Sequence, residues 1–431
     1  MKRAILFLLA LLFCFSAVSC GKPPSPSPTP STEPSAVLPS GTELTYHDVY
    51  NQETDFDNRF GRGYWSIVET DDAYYIIFVR TEEKYLYYHD KATGEYDLLC
   101  GKPECLHDSD TCNAMIEARA QTLNLVNGRL YFETAFTKRS SELAPTDCRS
   151  IALDGTDRRL EFEMPCAWEN GPWNLYYHRG KFYGVSMPDW VIDGIPGKHI
   201  GITSWDAETG EYKLIFSKDG CEGQPNPKLF FFGKYVYFCF ASSRMDEGKT
   251  LSKLEVCRWD IEKELLETLY VSDDFEIPGM MFSLWVESED KVYIASSWPE
   301  INEPTPVFLL SGGTLREAFS FNDFGAISLL DGVVQRHRLH PEENSFEIEL
   351  TDYEGNPIYH SNIDMSFLSD MIPGTEFFSY YSTYGDKNTL YYDFIVQKAE
   401  DKKQFECIVR FDFQEPGAEP EKTLLCVDTY R

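Results

Sequence analysis

Positive charge is scarce in this 431-residue chain: 39 lysines and arginines stand against 70 aspartates and glutamates, for a net charge of −31. A surface of that sign repels phosphate backbones and anionic wall polymers, so no nucleic-acid partner is expected. Cations, basic proteins and neutral sugars stay open, and solvation alone accounts for most of the charge. Long apolar runs are scarce too. Beyond residue 19 no stretch reaches the ~18 consecutive apolar residues that a spanning helix needs. Helical periodicity is also missing, since after Thr42 no segment sustains apolar residues at i, i+3 and i+4. Among catalytic signatures, H-E-x-x-H, G-x-S-x-G, G-x-x-x-x-G-K-[ST], a full EF-hand loop and the sialidase-type Asp box S-x-D-x-G-x-x-W are all absent. Asp108-Ser109-Asp110 is too short for a calcium loop. With 70 carboxylates, acidic pairs arise by chance, so a two-carboxylate hydrolase has no positive support.

What is present begins with a secretory signal over residues 1–19. Lys2 and Arg3 supply its charged start, and Ala4–Phe15 is an apolar run too short to span comfortably. Ala17-Val18-Ser19-Cys20-Gly21 resembles the bacterial lipobox, in which the cysteine receives a diacylglycerol and becomes the mature N-terminus. Ala17 stands where that motif usually has leucine. The resemblance implies lipidation of Cys20 and a location on the extracytoplasmic side of the cell membrane; plain secretion, with Cys20 a thiol, is the alternative. Residues 20–41 then comprise this cysteine and a Pro/Ser/Thr-rich tether. Polyproline II at ~3.1 Å per residue would let it hold a domain up to ~60 Å from the membrane.

From residue 42 to 431 one pattern recurs. A turn leads into an aromatic strand at Asp71–Ile76, Asn127–Phe132, Arg179–Gly184, Phe232–Tyr237, Glu289–Ile294, Asp331–Val334 and Asp386–Tyr391. Downstream of most copies a strand ends in Asp and a tight turn, as at Asp90-Lys91-Ala92-Thr93-Gly94 and Asp206-Ala207-Glu208-Thr209-Gly210. An aspartate can bond the backbone two residues on and glycine accepts positive φ, so these sequences close hairpins at little cost. Each copy reads as four strands. One such sheet has two apolar faces to cover, and radial stacking around an axis covers both. The fold expected is therefore all-β, a β-propeller of seven four-stranded blades. Six or eight blades also fit the irregular spacing, and a pair of β-sandwiches is the runner-up. Hydrophobic residues at 42%, with 15% aromatics, are ample for such a core.

Leu153-Asp154-Gly155-Thr156-Asp157-Arg158-Arg159-Leu160 resembles the D-G-T/S-x-x-x-L hairpin of TolB-like propeller repeats. The run from Leu99 to Ala114, with its cysteines and histidine, is similar to a segment of uncharacterised lipid-anchored propeller proteins of anaerobic Gram-positive bacteria. That resemblance implies a propeller and an anchor but brings no established activity.

Within this run Cys100, Cys105, His107 and Cys112 form the only dense ligand cluster, at C-x₄-C-x-H-x₄-C. Thiolates and imidazole in one short loop suit a tetrahedral structural Zn²⁺. A disulfide outside the membrane, or plain buried thiols, compete with it. In each case the loop is expected to staple the first blade to the second, and no other cofactor is expected. Cys148, Cys166, Cys221, Cys239, Cys257, Cys407 and Cys426 lack pair spacing and read as small buried hydrophobes or free thiols.

Trp168, Trp173, Trp190 and Trp298 fall between strands beside acidic or amide residues, the composition that sugar recognition uses; packing between blades is the alternative for each. Trp205 and Trp259 stand before the repeated Asp and belong to the core. The function expected is non-catalytic binding of a glycan or protein partner by a lipid-anchored propeller. A glycan hydrolase or lyase, or a structural part of an envelope assembly, is the alternative.

Overall fold

Each turn–aromatic copy becomes the second strand of a four-stranded antiparallel sheet. In the computed structural model, these second strands are Ala73–Phe78, Arg129–Ala135, Lys181–Ser186, Tyr235–Asp246, Lys291–Ser296, Val333–His340 and Thr389–Lys398. Together the sheets make a seven-bladed β-propeller, with blades spanning 65–117, 123–164, 175–218, 230–271, 282–321, 326–364 and 375–427. The structure describes residues 43–61, 65–78, 83–109, 111–117, 122–135, 146–164, 174–186, 189–192, 195–198, 200–218, 228–246, 249–274, 282–296, 304–322, 325–415 and 417–428. The expected signal, Cys20 and the tether thus lie outside the described residues.

The Asp turns close the outer hairpins as their chemistry requires. Asp90 Oδ1 accepts the backbone N–H groups of Ala92 and Thr93 at 2.9 and 2.8 Å, and Asp206 does the same for Glu208 and Thr209 at 3.1 and 2.9 Å. Blade 5 departs from the pattern, turning instead through Ser311-Gly312-Gly313-Thr314. Side chains from adjacent sheets interdigitate. Phe346, Tyr392, Phe394 and Phe411 pack together between blades 6 and 7, and Phe231 meets Tyr176 and Tyr183 between blades 3 and 4. Innermost strands are also joined by hydrogen bonds: Asn124 of blade 2 donates to Leu175 O and accepts from Tyr177 N of blade 3, both at 2.7 Å.

Blade 1 is wholly N-terminal and blade 7 wholly C-terminal, so no strand is shared across the seam. Apolar packing closes it, with Ile76, Tyr87 and Leu98 of blade 1 in one cluster with Ile408, Leu425 and Cys426 of blade 7, and polar side chains add to it. Tyr87 donates to Asp428 at 3.1 Å, His89 Nδ1 to Leu425 O at 2.9 Å, and Arg410 to the Tyr74 hydroxyl at 2.8 Å.

Residues 43–61 form a strap ahead of the first strand, carrying a helical turn at Tyr46–Val49 and a 3₁₀ turn at Asn58–Phe60. It reaches six blades. Thr45 bridges Ser288 of blade 5, and His47 Nε2 lies 3.0 Å from Asp331 of blade 6. Arg179 of blade 3 grips Asp55 at 2.9 Å, while Asn58 exchanges two hydrogen bonds with the Phe231 backbone of blade 4. Arg59 contacts Glu69 of blade 1 at 3.6 Å and Asp386 of blade 7 at 3.3 Å. These partners sit at or beside the turns joining first to second strands, so the strap runs along that face of the propeller. Among the described residues no helix is long and apolar enough to cross a membrane.

Candidate functional site

The Cys/His run interrupts the outer strand of blade 1. Tyr96–Leu98 and Met115–Glu117 both pair with the third strand, and residues 99–114 leave between them. Leu86 pinches the excursion: its carbonyl accepts Leu99 N–H at 2.7 Å, and its own N–H reaches Ala114 O at 2.8 Å. Two tight turns shape what lies between, with Cys105 N–H on Lys102 O at 3.1 Å and Cys112 N–H on Ser109 O at 2.9 Å. His107 lies between them at φ 57°, in the left-handed region, and its Nδ1 is 3.2 Å from Cys112 Sγ. Lys102 bonds the Thr111 carbonyl, and Tyr85 donates to His107 O at 3.1 Å.

These turns bring all four predicted residues together: the three sulfurs and one His107 ring nitrogen lie within 4.8 Å of one another. Cys112 is buried, and Cys100, Cys105 and His107 are half-buried. Burial works against ionising Cys100. Even so, the N–H groups of Lys102 and Asn113 on its sulfur, with Cys105 and Cys112, hold its pKa below the ordinary thiol value. Burial pushes the Cys112 thiol up to about 12, although the N–H groups of Met115 and Ala114 also point to its sulfur.

The loop docks on blade 2. Gly101 N–H and the Asn113 side chain both donate to Gly155 O, at 2.9 and 2.8 Å. Arg158 donates to the carbonyls of Cys112, Asn113 and Met115. The turn that resembles a TolB-like hairpin is therefore the seat on which the cysteine loop rests.

Of the aromatic candidates, Trp168, Trp173 and Trp298 lie outside the described residues. Trp190 belongs to a short hairpin, Asp189–Ile192 with Ile195–Lys198, where its backbone pairs with Gly197; its side chain lies outside the described residues. The hairpin follows the second strand of blade 3, at the end away from the Arg179–Gly180 turn and the strap. Trp205 and Trp259 are buried. So are Cys148, Cys239, Cys257, Cys407 and Cys426, all with free thiols, whereas Cys166 and Cys221 lie outside the described residues.

A second polar locus, absent from the sequence reading, lies at the seam. Arg59, Glu69, Lys91, Asp386, Arg410 and Asp412 line a cavity of about 430 Å³ between blades 1 and 7. Its charges are already matched, with Lys91 on Glu69 at 2.9 Å and Arg410 on Asp412 at 2.7 Å. The locus is assembled by contacts more than 300 positions apart, Arg59 with Asp386 and Arg410 with Tyr74, which leave no local mark in a sequence.

Neither a family profile nor a curated protein sequence matches the chain. In structure it is similar to the β-propeller domain of the Trilobed protease from Pyrococcus furiosus, at 11% identity over 88% of this chain and 97% of that one, with a TM-score of 0.45. It is similar to oligogalacturonate lyase in complex with manganese, at 12% identity over 83% and 89%, with a TM-score of 0.44. TolB from Acinetobacter baumannii gives 11% identity over 83% and 82%, with a TM-score of 0.30. These likenesses are of fold alone and bring no activity to this chain.

Proposed function

We propose that this protein is a lipid-anchored propeller on the extracytoplasmic side of a membrane, holding a glycan or protein partner without chemistry of its own. The observation that carries the reading is the strap. It is bonded to six blades beside the turns between their first and second strands, which supports the opposite face as the one a partner would meet. Propellers gather their loops around such a mouth, and binding there is the default use of the fold. The hairpin bearing Trp190 leaves the second strand of blade 3 at the end away from the strap, which supports this choice of face. A lipid on Cys20, with the Pro-rich tether behind it, would place this binding surface outside the membrane.

The test has two arms. Metabolic labelling with a fatty acid should mark the wild type and not Cys20→Ala, and the variant should leave the membrane fraction. Titration of the purified protein with envelope glycans and with surface proteins should then give a saturable ligand whose binding Trp190→Ala abolishes with the melting temperature unchanged. Turnover of a glycan by the wild type would overturn the non-catalytic reading. Unlabelled wild type would overturn the anchor.

A further inference from the structure

We infer that Cys100, Cys105, His107 and Cys112 bind one Zn²⁺ in a closed tetrahedral site that clasps the outer strand of blade 1 to the turn of blade 2. The geometry distinguishes this from a disulfide. A disulfide draws two sulfurs to about 2.05 Å and gives no place to a third sulfur or an imidazole. A tetrahedral zinc, with Zn–S near 2.3 Å and Zn–N near 2.0 Å, holds its donors about 3.5–3.8 Å apart. Here four donors converge mutually within 4.8 Å, with His107 Nδ1 only 3.2 Å from Cys112 Sγ.

The surroundings are those of a metal site. Each of the two outer cysteines has backbone N–H groups on its sulfur, from Lys102 and Asn113 on Cys100 and from Ala114 and Met115 on Cys112. Such bonds orient thiolate ligands and spread their charge. Three thiolates and a neutral imidazole around Zn²⁺ leave one net negative charge. Lys102 and Arg158 both lie against carbonyls of the same loop and offset it. Cys₃His is a soft to borderline set that suits zinc, and four protein donors leave no open position for a substrate. The role is therefore structural. The loop is fixed by the ion, and through Gly155 and Arg158 it fixes the neighbouring blade.

The purified protein should carry one zinc per chain through dialysis, by elemental analysis. Cobalt exchange should give the visible absorption of a tetrahedral ion with thiolate charge-transfer bands, and His107→Ala should shift the visible bands while keeping the thiolate bands. Cys105→Ser should lower zinc affinity beyond the ~10–100-fold that loss of an outer-shell contact costs. Should Cys105→Ser fail to fold, a chelator on the wild type reads the same point: release of one zinc with a reversible fall in melting temperature supports the site. A metal-free protein two hydrogens lighter than its reduced mass would overturn it in favour of a disulfide. A metal-free protein whose three thiols all alkylate in the native state would overturn it as well.

Discussion

Phe56 of the strap donates its backbone N–H to Nδ1 of His178 at 3.3 Å, which fixes the ring as the tautomer whose Nε2–H reaches Gly233 O at 2.6 Å. One buried imidazole thus ties the strap to blades 3 and 4, and it does so only while neutral. Burial lowers the His178 pKa to about 4, although the Asp55 carboxylate opposes the shift. The unfolded chain takes up a proton near pH 6.5 that the folded chain refuses until about pH 4. Stability present above pH 6.5 is therefore lost as the pH falls through that window, by about 1.4 kcal/mol per pH unit for this group. Buried His337, lowered to about 3, acts in the same direction. In urea titrations at pH 7.5 and 5.5, His178→Gln should be the less stable protein at pH 7.5, by about 1–3 kcal/mol, with a shallower loss at pH 5.5. Parallel curves for the two proteins would mean that His178 does not couple to pH.

Arg59 gives the strap its grip on the seam. Its guanidinium meets Asp57 at 2.8 Å, Asp386 at 3.3 Å and Glu69 at 3.6 Å, so its removal takes this cation from Asp57 and Asp386 and leaves Glu69 with Lys91. The side chain is about 30% exposed, which tempers the cost below that of a fully buried pair. Arg59→Ala should lose about 2 kcal/mol, and Arg59→Lys less, because the charge returns without the planar fork. Chemical denaturation at low and high salt checks this. A loss for Arg59→Ala below about 0.5 kcal/mol would reduce the cluster to an ordinary surface network.

The seven blades were legible in the sequence because most are closed by local chemistry. In those, an Asp that bonds its own turn, a residue with positive φ and an aromatic strand lie within a few residues of one another. The strap was not legible, since it occurs once and has no period. Its partners are hundreds of positions away: His47 meets Asp331, and Arg59 meets Asp386. Blade 5 lacked the repeated Asp, and its Ser311-Gly312-Gly313-Thr314 turn carried the same message in another form. The Cys/His cluster showed itself by residue type, but its seat on Gly155 and Arg158 depended on blade packing that no motif states.

Trp205 and Trp190 should separate core from candidate binding surface. Trp205 is fully buried among Phe182, Leu175 and Cys148, where blades 2 and 3 meet. Trp205→Ala should cost about 3–5 kcal/mol, the range for emptying a large aromatic site. Trp190→Ala should leave the melting temperature within about a degree if it serves a ligand, since surface changes fall within ~0.5 kcal/mol. A melting-temperature loss at position 190 matching that at 205 would assign Trp190 to packing.

Two glycines with the same backbone test how tightly the cysteine loop is seated. Gly94 has φ +73° and Gly155 φ +75°, a region that costs an L-residue about 1–2 kcal/mol. A Cβ at Gly94 would meet nothing within 4 Å, so Gly94→Ala reports that backbone cost alone. A Cβ at Gly155 would stand 2.6 Å from Gly101 N and 2.9 Å from Cys100 N, both backbone atoms with no rotamer to yield. Blade 2 and the loop would have to part, breaking the bonds from Gly101 and Asn113 to Gly155 O. Gly155→Ala should therefore cost at least about 1–3 kcal/mol more than Gly94→Ala, the range for overpacking a tight site. Hydrogen exchange of the amides in residues 99–114 should quicken in Gly155→Ala and stay unchanged in Gly94→Ala. Equal losses for the two variants, with no change in exchange, would show that the loop is held by blade 1 alone and that its seat on blade 2 carries no stability.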